Sequence, residues 1–562
     1  EVFSEAKERI PYRGMKRAES RAEIHLEAEQ LAAYQEIRAA AGREGTHLLF
    51  GVTGSGKTHV FMRLIDDMEA AGKSVLMLVP EIALTPQMLS RFYLRYGDCV
   101  CVLHSGLSIG EKADEWKKIQ TGRAKIIVGT RSAVFAPMLR PGLIIMDEEH
   151  EASYKSETSP RFHARDIARF LSHHWQIPLL LASATPSVES YFQAERGRYF
   201  LHTLTQRYHK AALPEVRLID MKQEPLAEGS KIFSEELQRA LSQTFQNSEQ
   251  AILFLNRRGM HSVVGCASCG AVAKCPSCGI ALTYHKPNDR LMCHYCGYSI
   301  KRFAKCPECG SVHIKMLGLG TQYVEQELQT LFPEIRILRM DMDTVDSYLS
   351  YGEMLSSFRE GGYHVMLGTQ MVAKGLDFPE VTLVGVLQAD MSLYADDFRA
   401  NERTFNLLTQ VCGRSGRSGK AGKAVIQTYC PDHPVIALSK EQDYHQFYRQ
   451  EIAFRKLAGY PPFCDILLIC AEAYTQRTAM EGITKIYRFF QEKSTAEYGD
   501  IPLRLLSPVV PHVGMLRGRY RMQMLIKCKN SSRLRQLIRA GMEQELPGGL
   551  QVTYNINPIQ YF

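Results

Sequence analysis

The stretch Gly51-Val-Thr-Gly-Ser-Gly-Lys-Thr58 decides the fold of this chain. It has the spacing of a phosphate-binding loop: a glycine, four further residues, a second glycine, a lysine and then serine or threonine. The loop follows a predicted strand at 46–50 and precedes a helical pattern that begins at His59. In that context Lys57 can reach the β- and γ-phosphates of a nucleotide, and the Thr58 hydroxyl can bind Mg²⁺. The sequence therefore predicts ATP or a related nucleotide as the ligand; a glycine-rich turn that binds nothing is the weaker alternative.

Size and composition indicate a globular protein of several domains. At 562 residues, a prior of about 150 residues per domain gives roughly three or four. Apolar residues make up 45% and charged residues 23%, and no apolar run reaches the length of a membrane span. The net charge of +8 mildly favours a polyanionic partner. The 15 cysteines without an export signal favour a reducing cytoplasm, and the absence of an initiator methionine suggests a piece of a longer protein.

Eight of the 15 cysteines form Cys-x-x-Cys pairs within one segment. The pairs are Cys266/Cys269, Cys275/Cys278, Cys293/Cys296 and Cys306/Cys309. A two-residue gap lets both thiolates of a pair turn toward one metal ion, so the pairs predict two closed, structural Cys₄ zinc sites. Redox-active pairs are the alternative, and the spacing leaves open whether each zinc takes adjacent or nested pairs. His285 and His294 lie in the segment, and we expect both at the surface because the cysteines already satisfy two ions.

An apolar strand at 143–146 ends in the acids Asp147 and Glu148. Acids at the carboxyl end of a parallel strand would lie beside the phosphate loop, at the edge where such sheets bind ligands. Asp147 can then hold Mg²⁺, and Glu148 can orient and polarise the attacking water. Acids at a strand end often only cap the next helix, but their place after a phosphate loop and an apolar strand favours the catalytic interpretation.

Further apolar strands, each followed by a small or polar loop, predict two doubly wound α/β lobes. In the first lobe they lie at 74–80, 125–130 and 178–183. In the second lobe, whose pattern is expected from about residue 230, they lie at 251–255, 364–369 and 381–387. Arg414 and Arg417 follow; on a helix they would share one face and could stabilise the charge that develops on a γ-phosphate. A solvated basic turn is the alternative.

The order of these motifs resembles that of superfamily-2 helicases of the DEAH type. The motifs are Pro80-Glu-Ile-Ala-Leu-Thr-Pro-Gln87, Gly129-Thr-Arg-Ser132, Asp147-Glu-Glu-His150, Ser183-Ala-Thr-Pro186 and Gln410-Val-Cys-Gly-Arg-Ser-Gly-Arg417. The cysteine insertion after Phe254-Leu-Asn-Arg-Arg-Gly259, together with Leu516-Arg-Gly-Arg-Tyr-Arg521, resembles the bacterial primosomal replication-restart helicases. The resemblance covers nearly the whole chain. It implies an α/β fold of two RecA-like lobes with a Cys-rich two-zinc insertion in the second lobe, followed by an α+β C-terminal domain.

The resemblance implies roles for individual residues. Hydrolysis would be carried by Lys57, Asp147, Glu148, Arg414 and Arg417. Contacts to ATP and Mg²⁺ would come from Gln30, Gly51, Thr53, Gly54, Ser55, Gly56, Lys57, Thr58, Asp147, Glu148, Gly375, Asp377 and Gln410. The zinc pairing would be nested, with one ion on Cys266, Cys269, Cys306 and Cys309 and the other on Cys275, Cys278, Cys293 and Cys296. Gln322 stands where many relatives have Glu, which leaves an acidic role of this position open.

The resemblance also implies DNA contacts. Five residues fall in a segment that resembles the family's aromatic-rich loop, which couples DNA to hydrolysis: Tyr154, Lys155, Arg161, Phe162 and Arg165. Tyr154 and Phe162 could stack on bases or pack beneath the loop, and the sequence leaves both open. Between Met515 and Ala540 the chain has many Lys and Arg and no acid, which favours DNA binding over a solvated face. The candidates there are Arg517, Arg519 and Arg521.

These patterns divide the chain into six segments. They are a linker or winged-helix remnant at 1–21, the ATP-binding first lobe at 22–205, the start of the second lobe at 206–261, the zinc-binding insertion at 262–312, the rest of the second lobe at 313–430, and a C-terminal DNA-binding domain at 431–562. The family's N-terminal domain, which captures a 3′ DNA end, and most of its winged-helix domain are expected to be missing.

The predicted function is that of an ATP-dependent 3′→5′ DNA helicase that recognises stalled or repaired replication forks, unwinds the duplex and starts primosome assembly. Its cofactors would be ATP, Mg²⁺ and two Zn²⁺. Its partners would be single-stranded and forked DNA, the single-stranded DNA-binding protein, and primosomal and helicase-loader proteins, in the cytoplasm and away from membranes. The alternative is an ATP-gated scaffold that loads the replicative helicase with little unwinding. An RNA helicase or a double-strand translocase is the third option.

Overall fold

A computed structural model describes residues 23–561 apart from 41, 82–85, 209–213, 224–229, 231, 256–263, 267–270, 279, 286–288, 317–319, 341–347, 370–377, 417–419 and 560. The described residues form two parallel sheets flanked by helices, a Cys-rich unit of short strands inserted into the second, and a C-terminal antiparallel sheet. This architecture confirms the predicted α/β class with two RecA-like lobes. Among the helices in these ranges, none combines the length and the apolar character that crossing a bilayer requires.

The first lobe is a parallel sheet with its crossover helices. Its strands are β1 (Gly45–Gly51), β2 (Ser74–Leu78), β3 (Val100–Leu103), β4 (Ile126–Gly129), β5 (Pro141–Met146), β6 (Pro178–Ser183) and β7 (Phe200–Leu204). Its helices are α1 (Ala28–Ala39), α2 (Lys57–Ala70), α3 (Pro86–Tyr96), α4 (Ile109–Gln120), α5 (Ala164–Trp175) and α6 (Val188–Glu195). The strand order is β3-β4-β2-β5-β6-β1-β7, and every pair is parallel. The carboxyl ends of β1, β5 and β6 therefore meet at one edge.

The strands of this sheet are apolar because helices cover both faces. All residues of β2, β4 and β6 are buried, as a parallel sheet with two covered faces requires. Leu48 and Leu49 of β1 belong to different apolar clusters, one on each face, since successive side chains of a strand alternate. The register pairs Phe50 with Ser183 of β6, so the phosphate loop begins level with the end of β6.

The second lobe is a parallel sheet with flanking helices, and it includes the inserted Cys-rich unit. Its strands are β8 (Glu215–Asp220), β9 (Gln250–Leu255), β10 (Val264–Cys266), β11 (Thr283–His285), β12 (Arg290–Met292), β13 (Ser299–Lys301), β14 (Ile314–Met316), β15 (Ile337–Met340), β16 (Val365–Gly368), β17 (Val381–Leu387) and β18 (Lys423–Thr428). Its helices are α7 (Glu235–Gln246), α8 (Thr321–Leu331), α9 (Tyr348–Arg359) and α10 (Ala400–Cys412). The second parallel sheet has the order β15-β16-β9-β17-β18-β8, while β10 pairs with β14 and β11 to β13 form a small antiparallel sheet.

The predicted strands of both lobes are confirmed, with ends that differ by a residue or two. Two boundaries differ from the prediction. The helix after the phosphate loop begins at Lys57 rather than His59, because the left-handed Gly56 completes the turn and the helix follows at once. The second sheet begins at Glu215 rather than near residue 230. Its edge strand β8 alternates exposed and buried residues, so it lacks the continuous apolar run of the central strands.

The C-terminal region is an antiparallel sheet with helices on one face. Its helices are α11 (Pro434–Glu441), α12 (Tyr444–Ala458), α13 (Gln476–Ala496) and α14 (Ser532–Met542), and its strands are β19 (Asp465–Ala473), β20 (Arg504–Leu505), β21 (Met515–Leu516), β22 (Arg519–Cys528) and β23 (Gln551–Ile556). The strand order is β20-β22-β19-β23, with β21 paired to β22 as a hairpin. Helices α13 and α14 cover one face, and the other face packs against the Cys-rich unit.

Candidate nucleotide, metal and DNA sites

The phosphate loop runs from the carboxyl end of β1 into the first turn of α2. Gly54 (φ 80°) and Gly56 (φ 77°) adopt the left-handed conformation, which costs glycine little. A Cβ on Gly51 would lie 2.5 Å from the Ser55 Oγ, and a Cβ on Gly56 would collide with the side-chain amide of Gln30. The curl of the loop therefore requires glycine at these positions, as a backbone cradle for phosphates does.

Buried polar atoms of the loop fit an anionic ligand. Thr53 Oγ1 and Ser55 Oγ are buried and have no hydrogen-bond partner within the described part of the chain. Lys57 Nζ donates to the Gly51 carbonyl at 2.7 Å, which keeps the ammonium group next to the loop backbone. Thr58 is exposed in the first turn of α2. Hydroxyls without partners, a lysine and a helix N-terminus are the groups that bind a nucleoside triphosphate with Mg²⁺, so the residues present fit that ligand.

Gln30 supports the loop from α1. Its side chain is buried. Nε2 donates to the Ser55 carbonyl at 2.8 Å, and Oε1 accepts a hydrogen bond from the Glu27 N–H at 3.0 Å. Both ends of the amide are engaged, so its orientation is fixed. The predicted contact with adenine stays a prediction, and the structure adds a role in holding the loop.

Asp147 and Glu148 follow β5 at the same edge of the sheet. Burial, and then the neighbouring Glu148 carboxylate, raise the pKa of Asp147 to about 7, while the charge of Lys57 opposes the shift. Glu148 has a φ of 44°, which is unfavourable for a residue other than glycine. Its Oε2 is buried and has no hydrogen-bond partner among the described residues. The strained backbone of Glu148 and the raised pKa of Asp147 both fit a site in which a divalent cation balances the negative charge.

His150, for which the sequence predicts no individual role, links the acid segment at 147–150 to the second lobe. Gln410 Nε2 donates to His150 Nε2 at 2.9 Å, and His150 Nδ1 lies 2.7 Å from the Ser183 Oγ. The side chain of Gln410, which is predicted to contact ATP, therefore forms a hydrogen bond with His150 in this structure. The available signal for His150 was its position at the end of Asp147-Glu-Glu-His150.

Arg414 does not lie on a helix. Helix α10 ends at Cys412, with Gly413 as its C-cap, and Arg414 lies in the turn that follows. The prediction that Arg414 lies on a helix was therefore wrong, because the Gly- and Ser-rich sequence after Cys412 disfavours a helix. Gly413 approaches the phosphate loop so closely that a Cβ there would collide with Thr53. Three residues of the predicted nucleotide site lie outside the described residues: Gly375, Asp377 and Arg417.

The cysteines gather into two clusters that match the nested pairing. The inner cluster is Cys275, Cys278, Cys293 and Cys296, and the outer cluster is Cys266, Cys306 and Cys309; within each, the sulfur atoms lie within 4.8 Å of one another. Cys269, the remaining predicted ligand, lies outside the described residues. Sets of thiols at this spacing fit tetrahedral zinc. Cys309 of the outer cluster is exposed, whereas the inner cluster is largely buried.

The inner cluster lies where three parts of the chain meet. It shares one apolar cluster with Phe398 of the second lobe, Tyr460 after α12 and Leu525 of β22. The Tyr460 hydroxyl donates to the Cys278 carbonyl at 3.1 Å. A metal in this cluster would therefore stabilise the packing of the second lobe, α12 and the C-terminal sheet as well as the Cys-rich unit itself.

His294 is buried rather than exposed. Its exposure is 1%, and its Nδ1 lies 2.9 Å from the Val510 carbonyl. Gln523 of β22 donates to the His294 carbonyl at 3.2 Å. The prediction of a surface position was wrong because the C-terminal sheet, distant in sequence, covers this side of the Cys-rich unit. The side chain of His285 lies outside the described residues.

Tyr154 is a core residue and not a DNA contact. Its side chain is fully buried, and its hydroxyl lies 2.6 Å from the Asp147 carbonyl and 3.0 Å from the Leu78 carbonyl. Of the two interpretations left open for Tyr154, the structure shows packing beneath the loop. Arg165 is also directed inward, since its Nη1 donates to Glu149 at 2.9 Å. Arg165 therefore contacts the acid segment at 147–150 rather than a DNA surface.

Lys155 connects the same loop to the C-terminal sheet. It is 4% exposed, and its Nζ donates to the Ile556 carbonyl at 2.9 Å and to the Arg161 carbonyl at 3.0 Å. Glu157 accepts a hydrogen bond from Asn555 Nδ2 at 2.9 Å. The predicted DNA contact of Lys155 is therefore replaced by a contact between the loop and β23.

Arg161 and Phe162 face a chamber of about 1220 Å³ between the lobes and the C-terminal region. Phe162 is half-buried and packs edge-on against Phe135, with 4.9 Å between ring centroids. Arg399 and Lys529 also line the chamber. Basic groups beside an aromatic ring are what a single-stranded nucleic acid contacts, so Arg161 and Phe162 are the members of this loop that keep their predicted role as candidates.

The β21–β22 hairpin carries the predicted C-terminal arginines. Arg517 is exposed at its turn, and Arg519 lies over the Tyr474 ring at 4.5 Å from its centroid. Arg521 pairs with Glu472 at 3.0 Å, so its charge is balanced within the protein. Arg517 and Arg519 therefore remain the better candidates for phosphate contacts.

The two parallel-sheet lobes and the phosphate loop between them define a protein of the two-lobed helicase class. Four families match parts of the chain: DEAD/DEAH box helicase at 28–193, PriA DNA helicase Cys-rich region (CRR) domain at 275–301, helicase conserved C-terminal domain at 317–419, and primosomal protein N C-terminal domain at 456–559. The chain belongs to the replication restart protein PriA family, as its similarity to whole relatives shows.

Two relatives illustrate that similarity. The replication restart protein PriA of Bacillus subtilis (strain 168) is 45% identical over 522 residues, which are 92% of this chain and 64% of that protein. The protein of the same name from Treponema pallidum (strain Nichols) is 39% identical over 537 residues, which are 95% of this chain and 80% of that protein. The structure of RecG bound to a three-way DNA junction aligns with 79% of this chain and 48% of that chain, at 16% identity and a TM-score of 0.45.

Proposed function

We propose that this chain is an ATP-dependent DNA helicase that moves 3′→5′ and restarts replication at stalled or repaired forks. The observation that carries the proposal is the contact of the second lobe with the phosphate loop, where Gly413 packs against Thr53 and brings the backbone of Arg414 to the site. A site assembled from two lobes is complete only when the lobes are closed. Hydrolysis and lobe movement are then coupled.

Each residue of the site has a distinct proposed role. The loop N–H groups and Lys57 would bind the β- and γ-phosphates, and Thr58 and Asp147 would hold Mg²⁺. The cation would neutralise phosphate charge during transfer. Glu148 orients the attacking water and accepts its proton, while Arg414 stabilises charge on the γ-phosphate. The proposal also includes three residues that lie outside the described residues: Arg417, Gly375 and Asp377.

The Gln410–His150 hydrogen bond gives the lobes a way to communicate. It joins α10 of the second lobe to the acid segment of the first, and the other ring nitrogen of His150 contacts Ser183 at the end of β6. Opening of the lobes would break the bond, so the acid segment would sense lobe position. We propose that the DNA strand in the chamber is contacted by Arg161 and Phe162, which follow that segment.

Membership of the family supports the remaining parts of the proposal. They are forked and single-stranded DNA as substrates; primosomal proteins, helicase loaders and the single-stranded DNA-binding protein as partners; and a location in the cytoplasm at replication forks. Two Zn²⁺ would occupy the inner and outer clusters as structural ions, because tetrathiolate sites leave no open position for catalysis.

The test is unwinding of a forked duplex with ATP. Lys57→Ala should lower hydrolysis on the order of a hundredfold or more and abolish unwinding, because the phosphates lose their cation. Lys117→Ala, an exposed lysine of α4, is the matched control and should behave as the wild type. Equal unwinding by the wild type and Lys57→Ala would refute the proposal.

A second candidate function is the ATP-gated scaffold with little unwinding of its own. The exposure of Cys309 favours it, because an outward zinc unit suits partner docking. Cys306→Ser/Cys309→Ser is the discriminating variant, since the inner cluster also holds the domains together. Lost recruitment of a helicase loader with intact unwinding would favour the scaffold.

A further inference from the structure

Arg207 lies in the segment that connects the two lobes, between β7 and β8, and is 4% exposed. The described residues at the start of this segment, 205–208, lie along the phosphate loop. The Val52 N–H donates to the Leu204 carbonyl at 3.1 Å, and the Tyr208 N–H donates to the Gly54 carbonyl at 2.9 Å. The stem of Arg207 lies where a side chain on Gly54 would project, since a Cβ there would be 3.8 Å from its Cγ. Arg207 is therefore placed against the loop by backbone hydrogen bonds on either side of it.

The guanidinium group of Arg207 reaches from the phosphate loop to the second lobe. Nη2 lies 3.3 Å from the Gly413 carbonyl and Nη1 lies 3.5 Å from the Gly416 carbonyl, and both donate. These two glycines flank Arg414 in the sequence. Arg207 thus binds the backbone on both sides of Arg414, which a planar fork with several N–H groups can do and a single ammonium group does poorly.

We propose that Arg207 is a positioning residue for ATP hydrolysis, an inference that rests on the proposed function. Through the carbonyls of Gly413 and Gly416 it holds the turn that carries Arg414 against the phosphate loop. The turn needs such a clamp because its glycines are conformationally permissive, and Gly416 adopts a φ of 68°. Arg207 acts through the backbone of Arg414, so its removal should misplace Arg414 without removing any nucleotide ligand.

Steady-state kinetics with single-stranded DNA test this role. Arg207→Ala should lower kcat by about 10- to 100-fold, because a displacement on the order of 1 Å at a catalytic group has that effect. The Kd of a fluorescent ATP analogue should stay within about threefold, since the loop and Lys57 are intact. Arg207→Lys should recover only part of kcat. Arg217→Ala, an exposed arginine of β8, is the matched control and should keep the wild-type kcat.

A double-mutant cycle separates positioning from a general structural role. In an Arg414→Ala background, Arg207→Ala should cause no further loss of kcat, because the residue that it positions is gone. The same fold loss in both backgrounds, or an unchanged kcat in the single variant, overturns the inference. If Arg207→Ala does not fold, as judged by thermal melting, Arg207→Lys carries the same comparison. A wild-type chain that hydrolyses no ATP instead overturns the proposed function, and this inference with it.

Discussion

Arg455 and Glu402 form a buried ion pair, with 2.6 Å between Arg455 Nη2 and the carboxylate. Arg455, on α12, also pairs with Glu189 of the first lobe at 3.2 Å and with Glu451 at 2.9 Å. The other oxygen of Glu402 accepts a hydrogen bond from the Val188 N–H, at the start of α6, at 2.9 Å. One guanidinium group therefore joins both lobes to the helix that leads into the C-terminal region.

Replacing this arginine should be strongly destabilising. Arg455→Met would leave three carboxylates together in the interior without their cation, at a cost of about 3–5 kcal/mol. Urea unfolding followed by fluorescence measures the loss. Arg449→Met, an exposed arginine of the same helix, should change stability by no more than about 0.5 kcal/mol. Similar midpoints for the two variants would contradict the joining role of Arg455.

Substitutions of Tyr154 and Phe162 should affect different properties. The first should lower the stability of the protein, and the second should weaken the stimulation of ATP hydrolysis by DNA. Tyr154→Ala opens a cavity in the core and should cost about 3–5 kcal/mol in unfolding free energy. Phe162→Ala should cost much less, because its ring is half-buried, but should lower the stimulation of ATP hydrolysis by single-stranded DNA about tenfold, the loss of one stacked base. A Tyr154→Ala variant that keeps its stability and loses only DNA stimulation would contradict the assignment.

Loss of the inner cysteine cluster should affect the C-terminal sheet, whereas loss of the outer cluster should not. Cys275→Ser/Cys278→Ser should remove the inner metal and loosen the C-terminal sheet, because its lining residues Ile466, Leu468 and Leu525 pack on that cluster. Limited proteolysis near Tyr460 and zinc analysis are the measurements. Cys306→Ser/Cys309→Ser should lose about one zinc per chain as well, yet leave the C-terminal sheet protected. Equal protease sensitivity of the two double variants would argue against the asymmetry.

Asp396 should make stability depend on pH. Burial, and then the charge of Asp397, raise the pKa of Asp396 to about 8, and a hydrogen bond from Thr283 of the Cys-rich unit offsets only part of this. Asp396 Oδ1 is buried and lacks a hydrogen-bond partner in the ranges described. A carboxyl group whose pKa is raised by folding binds more protons in the folded state. Stability therefore falls as pH rises from about 4, its ordinary value, toward 8.

Asp396→Asn should remove this slope. Its stability relative to the wild type should be greater at pH 8 than at pH 5.5 by an amount on the order of 3 kcal/mol. Urea unfolding at the two pH values is the measurement. Asp432→Asn, an exposed acid before α11, is the control and should shift little between them. An equal difference in stability between the variant and the wild type at the two pH values would show that the buried carboxylate is ionised and compensated.

Much of the nucleotide site could be predicted because its signals are local. The phosphate loop and the acids after β5 each depend on a few consecutive residues at the end of an apolar strand, and parallel strands bring those ends to one edge. The contact of His150 could not be predicted because its partner is remote: Gln410 is 260 residues from His150. Arg207 escaped for the same reason, since Gly413 lies 206 residues further along the chain.

Some predictions failed because burial is decided by distant segments. Tyr154 stands in polar surroundings in the sequence, yet the first sheet encloses it. His294 stands between predicted zinc ligands, and the C-terminal sheet covers it. Lys155, a basic residue in a basic loop, donates to a carbonyl 401 residues away. No periodicity within the loop could indicate those partners.

The sequence by itself determined where the strands, the phosphate loop and the cysteine pairs lie, because apolar runs and short spacings act over a few residues. Only the tertiary structure decided that Gly413 meets Thr53, that Arg455 joins both lobes and that the inner cluster lies among three parts of the chain. These contacts depend on how complete sheets pack against each other. That packing is set by the sum of many remote interactions, which no single stretch of the chain contains.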